Sequence, residues 1–307
     1  MAGNRIPGPI CGSVYGFDTD TLTLSETTPP GPVCSDLLED MRAEAALRTT
    51  YTKPVKPAKR AKKKKHHEAV NCPQPGGELG SLSAHYESGS RGAAAIGYDS
   101  TGGWSYGKYQ IATLTGTMDD FLDYVRTNAA SIYQVLDKAG GSDAATKGTP
   151  VFKKAWTDLA ADASFATVQH DFIKTTHYDL LAAKIKTDTG LDVAAHSAAL
   201  RDVVWSVAVQ HGPGSSVISA ALEHKNLTTM TDEQIINAIY DRRESMITNK
   251  AGVQVPRYFP NSSEAVQKSV EARFKAERHC ALQMLKEETE KMKASTLTSP
   301  WTTVVLP

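Results

Sequence analysis

Long apolar runs are missing from this 307-residue chain: no stretch of eighteen apolar residues occurs, which excludes a spanning helix. Cysteine is scarce. The four present (Cys11, Cys34, Cys72 and Cys280) form no C-x-x-C pair and no metal-finger spacing. They leave open a Cys11–Cys34 loop in an oxidising compartment or four thiols in a reducing one. No H-E-x-x-H occurs, the stretches GSRG and STGG lack the Walker lysine spacing, and Ser88 in ESGSRG does not sit in a G-x-S-x-G elbow. Zincin, phosphate-loop and serine-hydrolase chemistry are therefore without a motif. The N-terminal MAGNRIPGPICGSVYGF lacks the charged-then-apolar layout of a secretory leader, so synthesis in the cytoplasm without Sec export is expected.

Net charge is zero, with 34 basic against 34 acidic residues, but it is unevenly spread. Residues 1–52 carry a net of −4, residues 53–69 a net of +7, and the remaining 238 residues a net of −3. The body thus offers no basic surface for nucleic acid. Residues 1–52 read as a small head of turn signals, with an alternating run from Thr19 to Leu24 and a short helix after Ser35. KPVKPAKRAKKKKHH reads as an extended, solvated linker over 53–69. Residues 70–294 form the main, mostly helical domain, and 295–307 a short apolar tail.

Within that domain, Leu79, Leu82 and Tyr86 mark one face of a short helix that Gly89 can terminate. AAIGYD and WSYGKYQIA flank the turn sequence STGG, predicting a β-hairpin over 94–112. Helical patterns follow near 117–126, 129–138, 151–162, 164–186, 191–210 and 215–223. AALRDVVWSVAVQ is apolar nearly all round, which predicts a buried central helix. Thr231 and Gln234 form a capping box, and Val266, Val270, Phe274, Ala281 and Leu285 line the inner face of a long last helix.

Glu87 stands where the first helix runs out. A carboxylate there faces backbone carbonyls and the negative end of the helix dipole, which disfavour ionisation and suit a general acid. The following glycines allow close backbone approach to a ligand, and Tyr98, Trp104, Tyr106 and Tyr109 offer flat faces and hydroxyls suited to sugar rings. Asp99 is the candidate second carboxylate, although Asp before Ser-Thr-Gly-Gly is also good turn chemistry. Asp119 and Asp120, just inside a helix start, are weaker candidates. His170, Asp171 and His177 lie close in sequence but lack a third ligand of convincing spacing, so no metal or cofactor is expected.

Glu87-Ser88-Gly89, a loop, and then Gly107-Lys108-Tyr109-Gln110 resemble the lysozyme-like superfamily of lytic transglycosylases, goose-type lysozymes and chitosanases. Its shared pattern is a helix ending in the catalytic Glu, then a Gly-x-x-Gln element lining the sugar cleft. The blocks AIGYDSTGGWSYGKYQIA, DVVWSVAVQHGPG and YFPNSSEAVQKSVEARFKAE are similar to muramidase domains of type VI secretion effectors and phage-derived lysins, over roughly residues 75–290.

That resemblance implies an α+β, mainly α fold: a lysozyme-like helical body with a small β-hairpin beside the active-site cleft. It implies cleavage of the β-1,4 MurNAc–GlcNAc backbone of peptidoglycan, with Glu87 as acid and Asp99 as base or charge stabiliser. Gln110 would hydrogen-bond an N-acetyl or hydroxyl group, and Tyr98, Tyr106 or Tyr109 would contact sugar. Gln210, beside His211, would lie on the cleft rim, while His211 and Tyr258 are read as structural. The implied partners are glycan strands, a secretion apparatus or virion, and an immunity protein, with action in the periplasm or wall of a target bacterium. The alternatives are a chitosanase- or chitinase-like enzyme, and an inactive wall-binding or structural module.

Overall fold

The computed structural model describes residues 72–74, 76–87, 89–99 and 102–297. The expected head, the basic linker, Cys11, Cys34 and nearly all of the C-terminal tail lie outside the described residues. The chain enters through α1 (Ser81–Glu87), a 3-10 segment (Gly89–Ala94) kinked at Gly92, and three short strands, β1 (Ile96–Asp99), β2 (Gly103–Tyr106) and β3 (Ile111–Ala112). These strands form an antiparallel meander in the order β1-β2-β3. Helices follow: α2 (Thr117–Asn128), α3 (Ala130–Lys138), α4 (Gly141–Lys147), α5 (Pro150–Leu159) and α6 (Ala163–Ile173). A π-helical turn (Lys174–Tyr178) joins α6 to α7 (Asp179–Thr189). After it come α8 (Ala198–His211), α9 (Val217–Leu222), α10 (Asp232–Arg243), a hairpin of β4 (Met246–Thr248) and β5 (Gln254–Pro256), and α11 (Glu264–Leu297). The architecture is α+β and mainly helical. None of the described helices is long and apolar enough to cross a membrane.

The core forms around α8, as its all-round apolar sequence requires. Val203, Val204, Trp205, Val207 and Ala208 are fully buried, and α1, α7, α9, α10, α11 and the π-helical turn pack around them. Its exposed N-terminal donors are met by neighbours: Ser197 accepts from Leu200 N, and Glu288 of α11 accepts from Ala198 N at 3.0 Å. The same core extends between α2, α5 and α6, where Phe121, Phe152, Trp156, Phe165 and Phe172 meet in edge-to-face, tilted and stacked pairs. The capping box at Thr231 and Gln234 forms as expected, with both reciprocal bonds present.

Several expectations need correction. The pattern over 164–186 is interrupted by the π-helical turn, and the one over 191–210 resolves into a 3-10 turn at Val193–Ala195 and then α8. The hairpin over 94–112 gains a third strand. Helix α4 and the β4–β5 hairpin were not foreseen, being too short for a periodic signal. The cysteines were left undecided, and Cys72 and Cys280 are bonded in a disulfide across 208 residues. That bond ties the approach to α1 onto α11, where Cys280 is fully buried.

Closing a loop of this length restricts the unfolded chain strongly, by about 5 kcal/mol on the chain-entropy account. Cys280→Ser is therefore expected to lower unfolding free energy by about 2–5 kcal/mol. Chemical denaturation of the variant beside the oxidised protein measures this, as a lower midpoint with a steeper slope, because the unlinked unfolded chain exposes more surface.

Candidate active site

Seven residues are too few for a helix to hold itself in water, so α1 depends on what grips it. The grip comes from α8. Asp202, only 3% exposed, accepts hydrogen bonds from Gly80 N at 2.5 Å, Ser81 Oγ at 2.7 Å and Leu82 N at 3.2 Å. This carboxylate satisfies donors that the first turn would leave unpaired and sets negative charge at the positive end of the helix. Burial raises its pKa, against the opposing pull of the Ser81, Gly80 and Leu82 bonds.

Gly80 has φ +89°, and a Cβ there would lie 2.6 Å from the Trp205 indole. Only glycine lets the chain cross that ring. His170 of α6 stacks on Trp205, 4.8 Å away at an interplanar angle of 15°, and its Nε2 lies 2.8 Å from the Leu79 carbonyl. A carbonyl can only accept, so Nε2 carries the proton. With its N-terminal end fixed from two sides, α1 delivers Glu87 as its last residue.

The chain beyond Glu87 is fixed by α5 and α6. The Ala93 carbonyl accepts from Trp156 Nε1 at 2.9 Å and from Gln169 Nε2 at 3.2 Å. Gln169, fully buried, also accepts from Lys108 N at 3.1 Å through its Oε1. One carboxamide therefore ties the segment after Glu87 to the turn between β2 and β3. Gly107 has φ +80°, and a Cβ there would strike Gln169 Oε1 at 2.3 Å. Gln110 holds the same turn from inside. It adopts φ 52°, accepts from Ser105 Oγ at 2.7 Å and donates from Nε2 to the Gly107 carbonyl at 3.1 Å.

Register decides which candidates share a face. Ile96 pairs with Tyr106 and Tyr98 with Trp104, while Gly97 pairs with Ser105 and Asp99 with Gly103. By two-residue alternation, Tyr98, Trp104 and Tyr106 belong to one face of the sheet, and Gly97, Gly103 and Ser105 to the other; Asp99 is the last residue of β1. Tyr106 is fully buried, donates to the Ala145 carbonyl and packs on Phe152 and Trp156, and burial pushes its phenol up to about 12. Tyr98 is 57% exposed and lies 5.2 Å from Trp104, whose ring carries the Lys153 ammonium. Tyr109 is buried near His170 and Trp205. The tyrosines expected to share one sugar wall are thus divided among core, sheet surface and helix interface. Asp119 and Asp120 occupy the first turn of α2, where Asp119 accepts from Ser142 Oγ.

Gln210 is set apart from the sheet, in a buried polar cluster between α8, α10 and α11. It accepts from Arg243, which also reaches Ser206 and forms an ion pair with Glu277 at 3.0 Å, both partners being fully buried. Arg273 closes the other side of Glu277 at 3.1 Å. Burial pushes Glu277 up, but Arg273, Arg243 and Ser206 together hold it below the usual carboxylate range. Next to this cluster, His211 is buried between Tyr258 and Phe259, and its Nε2 has no partner among the described residues. Burial first, then Arg243 and Arg273, drive its pKa far below 6.5. No group of three or more His, Cys, Asp or Glu side chains among the described residues could hold a metal ion. His170 and His177 are instead engaged with Leu79 and Thr176.

The family described as Type VI secretion system spike protein VgrG3-like, C-terminal, matches residues 79–278, and the chain belongs to it. The Type VI secretion system spike protein VgrG3 of Vibrio cholerae serotype O1 (strain ATCC 39315 / El Tor Inaba N16961) is 34% identical over 167 residues. That alignment covers 53% of this chain and only 15% of the relative's length. A solved chitosanase complex aligns at a TM-score of 0.37 and 20% identity, over 50% of this chain and 68% of that one.

The anchors themselves (Asp202, Trp205, Gln169, Trp156) were not read from sequence. Asp202 gave the one usable signal, a charge in the middle of an otherwise apolar helix.

His211 yields a test in pH. Its folded pKa is depressed, so the unfolded state takes up the extra proton. Its contribution is complete above 6.5 and is lost as pH falls below 6.5 toward the folded value. One such group gives a slope of up to about 1.4 kcal/mol per pH unit. Denaturation between pH 7 and 5 is expected to show this slope, and His211→Gln to flatten it.

Proposed function

We propose that this chain is a glycosidase that cuts the β-1,4 MurNAc–GlcNAc backbone of peptidoglycan, with Glu87 as general acid. The observation that carries the reading is the placement of Glu87 as the final residue of a short helix whose other end is clamped to the core. The next strand ends in Asp99, paired with Gly103 across the meander. Two carboxyl groups flanking a glycosidic bond supply what the reaction requires: a proton for the leaving oxygen, and a base or counter-charge for the oxocarbenium centre.

In this reading residues 70–294 are the catalytic domain, 53–69 a linker and 1–52 a docking head. Membership of a type VI secretion family supports delivery through such an apparatus. Action then falls in the periplasm or wall of a target bacterium, and the producing cell is protected by an immunity protein. Tyr98, exposed on the sheet, contacts glycan. Gln110 and Gln169 act by holding the Gly107 turn.

Glu87→Gln keeps shape and hydrogen bonding but has no proton to donate. Release of dye-labelled fragments from purified walls is expected to fall by about 10²–10⁴-fold, a general acid's share, with the unfolding midpoint unchanged. Release at the wild-type rate would remove Glu87 from the mechanism.

A further inference from the structure

We propose that the Cys72–Cys280 disulfide is a compartment-set latch, open in the cytoplasm that makes the chain and closed by a thiol–disulfide oxidant outside it. The closed form is the one in which α1 is held for function. Three observations lead here. The bond joins residues 208 positions apart and, in the folded chain, holds α11 against the approach to α1. Membership of a type VI secretion family supports, on the delivery reading above, passage from a compartment that keeps thiols reduced to one that does not. Finally, the sulfurs differ in access: Cys280 is fully buried on α11, whereas Cys72 is only partly buried.

That asymmetry orders the chemistry. The Cys72 thiolate attacks one sulfur of an oxidant disulfide, which is a dithiol oxidoreductase or oxidised glutathione, and expels the other sulfur as a thiolate. The Cys280 thiolate then attacks Cys72 Sγ, forming the internal bond and releasing the oxidant's second sulfur. Two electrons leave on the reduced oxidant, and the two cysteine protons pass to solvent. Once closed, the Cys280 sulfur is shielded from reductants.

The latch bears on α1 because residues 72–80 lead straight into it. Two of the grips on that approach are polar and come from α6 and α8: His170 on Leu79, and Asp202 on Gly80. The disulfide adds a covalent third grip from α11. A seven-residue helix answers to such anchors and not to its own propensity.

The test compares the 307-residue chain, oxidised and reduced, with its Cys72→Ser/Cys280→Ser variant. Thiol states are mapped by alkylation and mass spectrometry, and Cys11 and Cys34, retained in the variant, are controlled by it. Amide exchange over residues 76–87 is expected to be about tenfold faster in the reduced chain and in the variant than in the oxidised chain. Wall-fragment release, which rests on the glycosidase reading, should fall by a similar factor in both. Chain retained in the cytoplasm should alkylate at both positions, and exported chain at neither. Equal exchange in oxidised and reduced protein overturns the latch, as does a bond already closed in the cytoplasm. If no form releases fragments, the glycosidase reading fails and exchange alone decides the latch.

Discussion

A single buried carboxylate governs how this chain presents its candidate acid. Asp202 sits inside an otherwise apolar helix and spends its charge on the first turn of α1, through the amides of Gly80 and Leu82 and the Ser81 hydroxyl. An unpaired carboxylate at that depth would cost several kcal/mol, so the helix start and the core helix are mutually obligatory. Trp205 sets the distance, because Gly80 must pass over its ring without a side chain. The start of α1 thus follows from α8, and the position of Glu87 follows from α1.

The same logic recurs at two other places. Gln169 divides one carboxamide between the segment after Glu87 and the turn before Gln110, so both refer to α6. Arg243 and Glu277 lock α10 to α11, with Ser206, Gln210 and Arg273 completing the set. A buried ion pair of this kind adds little net stability over apolar residues, but losing one partner would leave a naked charge. Its consequence is a fixed relation among three helices, including the one that carries Cys280.

Much of this was legible in the sequence, for identifiable reasons. All-round apolarity gave α8 its central place, and Thr231 with Gln234 gave the start of α10, because periodicity and capping are local codes. Glu87 at the end of a helix and the strands around STGG were readable in the same way. Partnerships between distant residues were not. Nothing local says that Cys72 meets Cys280, that Gln210 serves Arg243, or that Gln110 closes its own turn at a positive φ. The tyrosines illustrate the limit: composition suggested one aromatic wall, while strand register and the turn sent Tyr98, Tyr106 and Tyr109 to three different environments.

The proposed glycosidase activity requires scission of a glycosidic bond. Mass spectrometry of the soluble products from purified peptidoglycan reads that directly, since glycan scission and peptide scission give fragments of different mass. The account predicts disaccharide-based fragments with intact peptide stems and newly formed sugar termini. Fragments cut within the stems, or no new sugar termini after complete digestion conditions, would contradict it.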